Sequence, residues 1–592
     1  MKMSLPDRLM NAPHWVLRLF FFLGVFGVLC FCYDDVLYRI FWNGYFTTNE
    51  FYSHDVTGHT GGALRYLSQF LNQVMRSPAL GAALVSALLV ALAYLNEKCF
   101  RLKDGFFVGT FLPSLLLLSL YTGIGYDIYM RIDTSFGLTS ILGCLITLSL
   151  YLLYETSNHL RRGKVLVVAV IALLYPAAGF YALAALMLVT VDACLSRRNV
   201  AGMVGVMVGA SIILPLLSDI CMFDDELNFG SSALLLSSSY LKLRVLQILS
   251  LVALLLLPIT KIGDKVFSSL SFYGRLISFL LCFGLCYVLS YRDNIFYSEL
   301  KVSRQADMND WKGILKECKK YNELSKTLNA YRVIALANTD KLSNNLFKIN
   351  LPFAETTFSP YENYLFEDIL FFQSGFFNST TRVCVESWQW FGLSYRRLRF
   401  LALCALMKGE AALAKKYLKQ MSGAFSLSDE VERLNLLLRD KSSFFKKYPE
   451  YARIVRRMPE ENVLFKGGAS VSRYFMCFSN LPVEDYELRL MSDLWECNLK
   501  AFAIDLRAYV EKHGNSIPDC IKEAAVIAVM SGERQSILSM AQVDEEMWNK
   551  VNGFFASLKT YDNDDRERAM RNLKNLYEKT YCFYYAFGNN AK

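Results

Sequence analysis

The sequence predicts an all-α protein in two parts: a polytopic membrane domain of about nine helical spans over residues 1–291, then an extracytoplasmic helical domain over 292–592. Two observations carry that prediction. Before Arg292 the chain is a succession of apolar runs, and a hydrocarbon core takes ~20 helical residues to cross. After it, charged and apolar residues alternate with a helical period, while β-branched runs and hairpin dipeptides are scarce.

Charge excludes one class of partner. The net charge is +9, yet residues 1–291 hold 20 Lys+Arg against 16 Asp+Glu and the remainder 43 against 38. Neither part is basic enough to imply nucleic acid, so charge matters through its placement across the membrane. Lys2 and Arg8 precede the run Leu19–Cys32, and Tyr33-Asp34-Asp35 stands where a cleavable signal would need small residues. The first span therefore reads as an uncleaved anchor. Fifteen cysteines include no C-x-x-C pair, and they read as buried thiols on helix faces rather than a disulfide framework.

Further spans fall near 79–96, 105–122, 134–154, 200–218, 243–260 and 273–291. Between Lys164 and Arg197 the apolar stretch is either one long tilted helix or a hairpin broken at Pro176-Ala177-Ala178-Gly179. Basic residues favour the hairpin. With it, Lys98/Arg101/Lys103, Arg161/Arg162/Lys164, Arg197/Arg198 and Lys261/Lys265/Arg275 all share the cytoplasmic side with Lys2 and Arg8. Acidic loops at 34–55, 127–133 and 219–226 fall opposite, with Arg39, Arg65, Arg76 and Lys242 as exceptions. The expected location is a bacterial inner membrane, with the C-terminal domain in the periplasm.

The first external loop, 34–78, carries Trp42, Tyr45, Phe46, Phe51 and Tyr52, aromatics suited to headgroup depth. Leu64, Leu67, Leu71, Val74 and Met75 predict an interfacial helix behind a Gly61-Gly62 break. Asp34 and Asp35 leave the bilayer here and are candidates for a base or a cation site, although acids that simply end a span on the translocated side are the preferred reading. Asp127 and Arg131, in a second external loop with Asp133, would complete such a site, the arginine facing a lipid phosphate. His54, Asp55 and His59 lack the spacing that puts two imidazoles on one helix face, so no metal is assigned. The loop Phe223–Glu226 is an exposed acidic turn by default. Asp192 reads as an interfacial acid paired with Arg197 or Arg198.

In the second part, Leu398–Met421 forms two helices around Lys408-Gly409-Glu410, with Ala402 and Ala414 where paired helices touch. This unit resembles a tetratricopeptide repeat. Poorer copies contain Ala524, Ala525, Ala528 and Gly532, and Leu328–Leu346 with Ala335 and Ala337. The aromatics Phe366, Phe371, Phe372, Phe376 and Phe377 read as core.

Taken together, Gly61-Gly62 with Tyr66, Phe70 and Gln73, the stretch Leu401–Leu418, and the terminus Tyr581, Phe583, Tyr584, Tyr585 resemble an uncharacterised family of bacterial multispan proteins with C-terminal tetratricopeptide-like repeats. The resemblance implies the architecture and assigns no activity or cofactor. Two functions follow as expectations: a membrane-anchored helical domain that binds a protein or envelope partner, or a polytopic glycosyltransferase using a lipid-phosphate-linked sugar. In the second, Asp34, Asp35, Asp127 and Arg131 would be catalytic. A transporter is disfavoured because polar mid-span residues and inverted repeats are not evident.

Overall fold

Every regular element among the described residues is a helix, as the periodicity predicts. The computed structural model describes residues 14–100, 107–129, 135–157, 163–195, 200–221, 241–259, 281, 283–321, 324–348, 365–459, 485–513, 516–561 and 565–588. Two compact units emerge. One comprises Met1–Asp293 with Trp388–Arg399 and Lys416–Glu432; the other comprises Asn294–Ser387, Phe400–Lys415 and Arg433–Lys592.

In the first unit, four helices are long and apolar enough to cross a membrane: Pro78–Phe100, Phe136–Thr156, Val200–Ser218 and Lys242–Ile259. A fifth arises if Trp15–Phe31 and Asp34–Asn43, bent by 72°, count as one. The expected nine is not reached by length. Gly109–Thr122, Gly163–Ala178 and Phe180–Leu195 are apolar but short. A 16-residue helix spans about 24 Å, less than a hydrocarbon core of ~30 Å. Of the segment 273–291, residues 281 and 283–291 are described.

The stretch 164–197 is two helices, Gly163–Ala178 and Phe180–Leu195, joined by Gly179 at φ +60°. Ile171, Tyr175, Ala178, Ala182, Ala185 and Leu186 form the core beneath them, with Leu150 from Phe136–Thr156. Small residues let these backbones approach, and polar side chains bond across helices. The Thr147 hydroxyl donates to the Tyr181 carbonyl at 2.8 Å, and Ser114 to Leu89 at 2.9 Å. Gln247 is a polar residue within a span that the sequence reading passed over; its amide donates to the Ser140 hydroxyl at 2.8 Å. By contrast, Val200–Cys221 exposes Val204, Val206, Val208, Ile212 and Ile213, an outward surface of hydrocarbon.

Contacts gather the connections at one end of these helices. The Gly61 amide donates to the Pro176 carbonyl at 2.8 Å, and the Thr60 and Ser218 hydroxyls share a hydrogen bond. The Tyr291 amide donates to the Thr122 carbonyl at 2.8 Å. Asp192 is half-buried in Phe180–Leu195, and Arg197 and Arg198 lie outside the described residues.

The second unit is a series of helix pairs closed by one type of turn. A left-handed residue ends one helix at Asn309, Asp340, Gly375, Gly409, Cys497, Gly532 and Gln542. The next amide then reaches back five residues: Asp310 to Gln305, Lys341 to Leu336, Phe376 to Phe371, Glu410 to Ala405, Asn498 to Asp493, Glu533 to Ala528 and Val543 to Leu538. That bond satisfies a carbonyl the helix end leaves open. Asp340, Gly375 and Gly409 follow at intervals of 35 and 34 residues and Cys497 and Gly532 at 35, whereas Asn309 precedes Asp340 by 31 and Gln542 follows Gly532 by 10. Ala402 and Ala414 are fully buried, as are the phenylalanines at 366, 371, 372, 376 and 377.

Arg457, only 1% exposed, ties three segments of this unit. Its guanidinium donates to the Asp485 carboxylate at 2.9 Å, to the Asn338 side chain at 3.1 Å, and to the Ala337 and Gln373 carbonyls at 3.0 Å. At the other end, Glu523 accepts from the Tyr581 amide at 2.7 Å and from Lys550 at 2.9 Å. Tyr581 and Tyr584 then donate to the Leu494 and Trp495 carbonyls. The aromatic terminus is therefore a latch held by a buried acid at a helix start.

Candidate functional site

The first loop folds as three helices, Asp34–Asn43, Glu50–Thr57 and Gly62–Asn72. Asp34 and Asp35 occupy the first turn of Asp34–Asn43, where carboxylates oppose the positive end of the helix dipole. Both are half-buried, and from Val36 to Trp42 the helix is buried. Gly61 takes φ +77° and opens Gly62–Asn72. A side chain on Gly62 would collide with the Val56 carbonyl, so the Gly61-Gly62 break fixes how tightly the second and third helices turn.

Asp127 lies on the single turn Tyr126–Tyr129 and is buried. The groups that the first loop brings to this turn are one and two helical turns beyond the two acids. Arg39 lays its guanidinium over the Tyr129 ring at 4.4 Å, and the Asn43 amide donates to the Ile128 carbonyl. Arg131 and Asp133 lie outside the described residues. The cleft between the ends of Pro78–Phe100 and Phe136–Thr156 contains none of the candidate acids. Among the described residues, no group of three or more His, Cys, Asp or Glu side chains is placed to hold a metal, and His54 and Asp55 are exposed.

The loop aromatics differ from a headgroup belt. Phe46 and Trp42 are buried, whereas Phe51 is 87% exposed. Phe46 packs on Tyr66 and Phe70, with ring centroids at 4.9 and 5.5 Å. The reason is that residues 388–399 and 416–432 complete the core beneath them, a pairing the sequence did not reveal. The Tyr395 amide donates to the Gly44 carbonyl at 2.9 Å and its hydroxyl to the Phe46 carbonyl at 3.0 Å. The Tyr45 hydroxyl donates to Gln420 at 2.8 Å. Arg399, itself buried, pairs with Glu430 at 2.9 Å and lies over the Trp42 ring at 5.2 Å.

Electrostatics follow the packing. Burial pushes the Tyr45 phenol up to about 12, opposed by a hydrogen bond with Thr47. Burial likewise raises Tyr395. Hydrogen bonding by Arg76 holds the Asp429 carboxyl below its ordinary range. Arg39 and Arg76, two basic residues that stood against the orientation rule, thus have partners within the unit. The arrangement is a packed core around the first loop, in which cations lie on rings and on carboxylates, and phenols donate to backbone carbonyls.

No curated protein and no solved structure matches the chain. Residues 11–588 match the model of a family of unknown function, DUF6057, and the chain belongs to that family.

Proposed function

We propose that this protein is an integral membrane protein of the bacterial envelope that presents a periplasmic helical-repeat domain to a protein or envelope partner. The carrying observation is one left-handed turn that recurs through the second unit, three of its intervals being 34 or 35 residues. That spacing matches the tetratricopeptide period, and stacked helix pairs of this kind act by binding along an extended face. Asp340 takes the turn position in the copy that has no glycine there.

Nine passes with a cytoplasmic N-terminus fit the gathering of connections. Residues 43 and 128, 61 and 176, 60 and 218, and 122 and 291 meet in pairs, as alternate crossings require. Arg18, Glu97 and Lys98 sit at the opposite helix ends. Basic residues on that face speak for it being cytoplasmic.

The glycosyltransferase reading has less support. It needs Asp34, Asp35, Asp127 and Arg131 around an open cavity, and Asp127 is buried beside a turn already engaged by Arg39 and Asn43. Complementation of a deletion strain separates the two. Asp34→Asn and Asp35→Asn should complement fully, and Ala402→Trp, which overpacks a helix pair, should not. An activity loss of ~100-fold or more in either Asn variant with folding intact would sink the binding reading in favour of an enzyme. A reporter fused after Lys592 that reads cytoplasmic would sink the nine-pass topology.

A further inference from the structure

Away from the first loop, a cleft of about 430 Å³ opens between the ends of Pro78–Phe100 and Phe136–Thr156. Its walls are Tyr94, Glu97 and Lys98 from one helix and Leu152, Glu155 and Thr156 from the other. The volume is within the usual range for small-molecule sites. Both helices meet the length and hydropathy required of a span, so the cleft sits where a span would leave the hydrocarbon. Tyr94 and Leu153 are about half exposed beside it, a lipid-facing flank.

Charge in the cleft is mixed and ordered. Arg18 pairs with Glu97, and its guanidinium lies 4.8 Å from the Tyr94 ring centre. Lys98 approaches the same ring at 5.4 Å. Two cations therefore approach one aromatic ring, Lys98 from the cleft wall and Arg18 from the neighbouring helix His14–Phe31, with Glu155 on the facing helix. A ligand of a single charge would set either the acids or the cations against it as they lose water. One that carries a phosphate and a primary ammonium a few bonds apart satisfies both.

We propose that this cleft holds a phosphoethanolamine group, supplied as the head of a membrane phospholipid. Lys98 faces the phosphodiester, Glu155 and Glu97 accept from the ammonium, Arg18 pairs with Glu97 from the neighbouring helix, and the acyl chains run along the apolar flank at Leu152 and Leu153. A trimethylated head loses the N–H donors, and a glycerol head loses the cation.

The proposal rests on the spanning reading, which alkaline carbonate extraction tests alone: release from the membrane overturns both. For protein that stays in the membrane, native mass spectrometry of the full-length chain in detergent compares phosphatidylethanolamine, phosphatidylcholine and phosphatidylglycerol of matched acyl chains. A charge-assisted hydrogen bond corresponds to about tenfold preferential retention of the ethanolamine lipid. Glu155→Gln should reduce that preference to about twofold, and Lys98→Gln should weaken all three lipids together. Both substitutions are near-isosteric, and unchanged size-exclusion profiles establish that they fold. Soluble O-phosphoethanolamine that displaces the lipid at equal concentration would assign the site to the free headgroup instead. Absence of a preference in the wild type, or a preference that neither variant moves, overturns the proposal.

Discussion

Arg399 in one unit and Glu523 in the other are buried almost equally, yet they are compensated in different ways. Arg399 spreads its charge between the Glu430 carboxylate and the Trp42 face. Glu523 accepts backbone amides at the start of Tyr581–Phe587 and a half-exposed Lys550. A third group, Asp493, is fully buried and faces another acid, Asp505, whose carboxylate is held by Arg489 at 2.5 Å. The comparison teaches that depth alone does not fix the cost of a buried charge; the sign and number of its neighbours do.

The largest effect should come from breaking the compensated sites. Glu523→Ala leaves the Tyr581 amide without its acceptor and removes the anchor of the terminal latch. Arg399→Ala removes the cation that pairs with buried Glu430 and lies over the Trp42 ring. Each should destabilise its own unit by about 3–5 kcal/mol. Limited proteolysis of the full-length protein in detergent, with fragments assigned by mass, distinguishes the units. If Arg399→Ala leaves the resistance of residues 34–78 unchanged, the packing role of this arginine is wrong.

Asp493 should respond in the opposite direction. Burial, reinforced by the charge and hydrogen bonding of Asp505 and opposed by Arg489, pushes its carboxyl from 3.8 up to about 8. A raised acid binds a proton in the folded state that the unfolded state has lost. Stability is therefore fullest below about pH 4 and falls as pH rises towards 8. Asp493→Asn removes this penalty and should stabilise the second unit at pH 7.5, with no gain at pH 4. Equal effects at both pH values would show that packing, not ionisation, governs the site.

These sites were legible in the sequence to unequal degrees, for physical reasons. The break at Pro176–Gly179 and the turn at Gly409 were readable because proline and glycine act on the local backbone. Asp340 and Cys497 take the same left-handed position without a glycine, so their turns are invisible to composition. Asp34 and Asp35 follow an apolar run, which marks the end of the first span and gives no sign of the helix Asp34–Asn43 that they open. The burial of Asp127 and the service of Tyr45 and Trp42 to a core depend on residues far along the chain. Tyr45 and Gln420 are 375 positions apart, beyond any local pattern. The headgroup assignment of those aromatics failed because periodicity cannot tell an apolar ring facing lipid from one facing protein.

The smallest effect tests the exposed end of the same comparison. Arg76 grips Asp429 through both oxygens, but the Asp429 side chain is 69% exposed. Water already stabilises a charge in that position, and salt screens the attraction. Asp429→Asn should therefore cost less than about 1 kcal/mol at low salt and nothing measurable at 1 M salt. Hydrogen bonding and charge from Arg76 hold the Asp429 carboxyl below 3.8. Its contribution is then present above the unfolded value and lost as pH falls through the folded one, the reverse of Asp493. Thermal unfolding of Asp429→Asn and Asp493→Asn across one pH series should give slopes of opposite sign relative to wild type. A cost for Asp429→Asn as large as that for Arg399→Ala would mean that the first-loop core depends on this exposed pair, and that burial of the partner is not what separates strong from weak ion pairs in this protein.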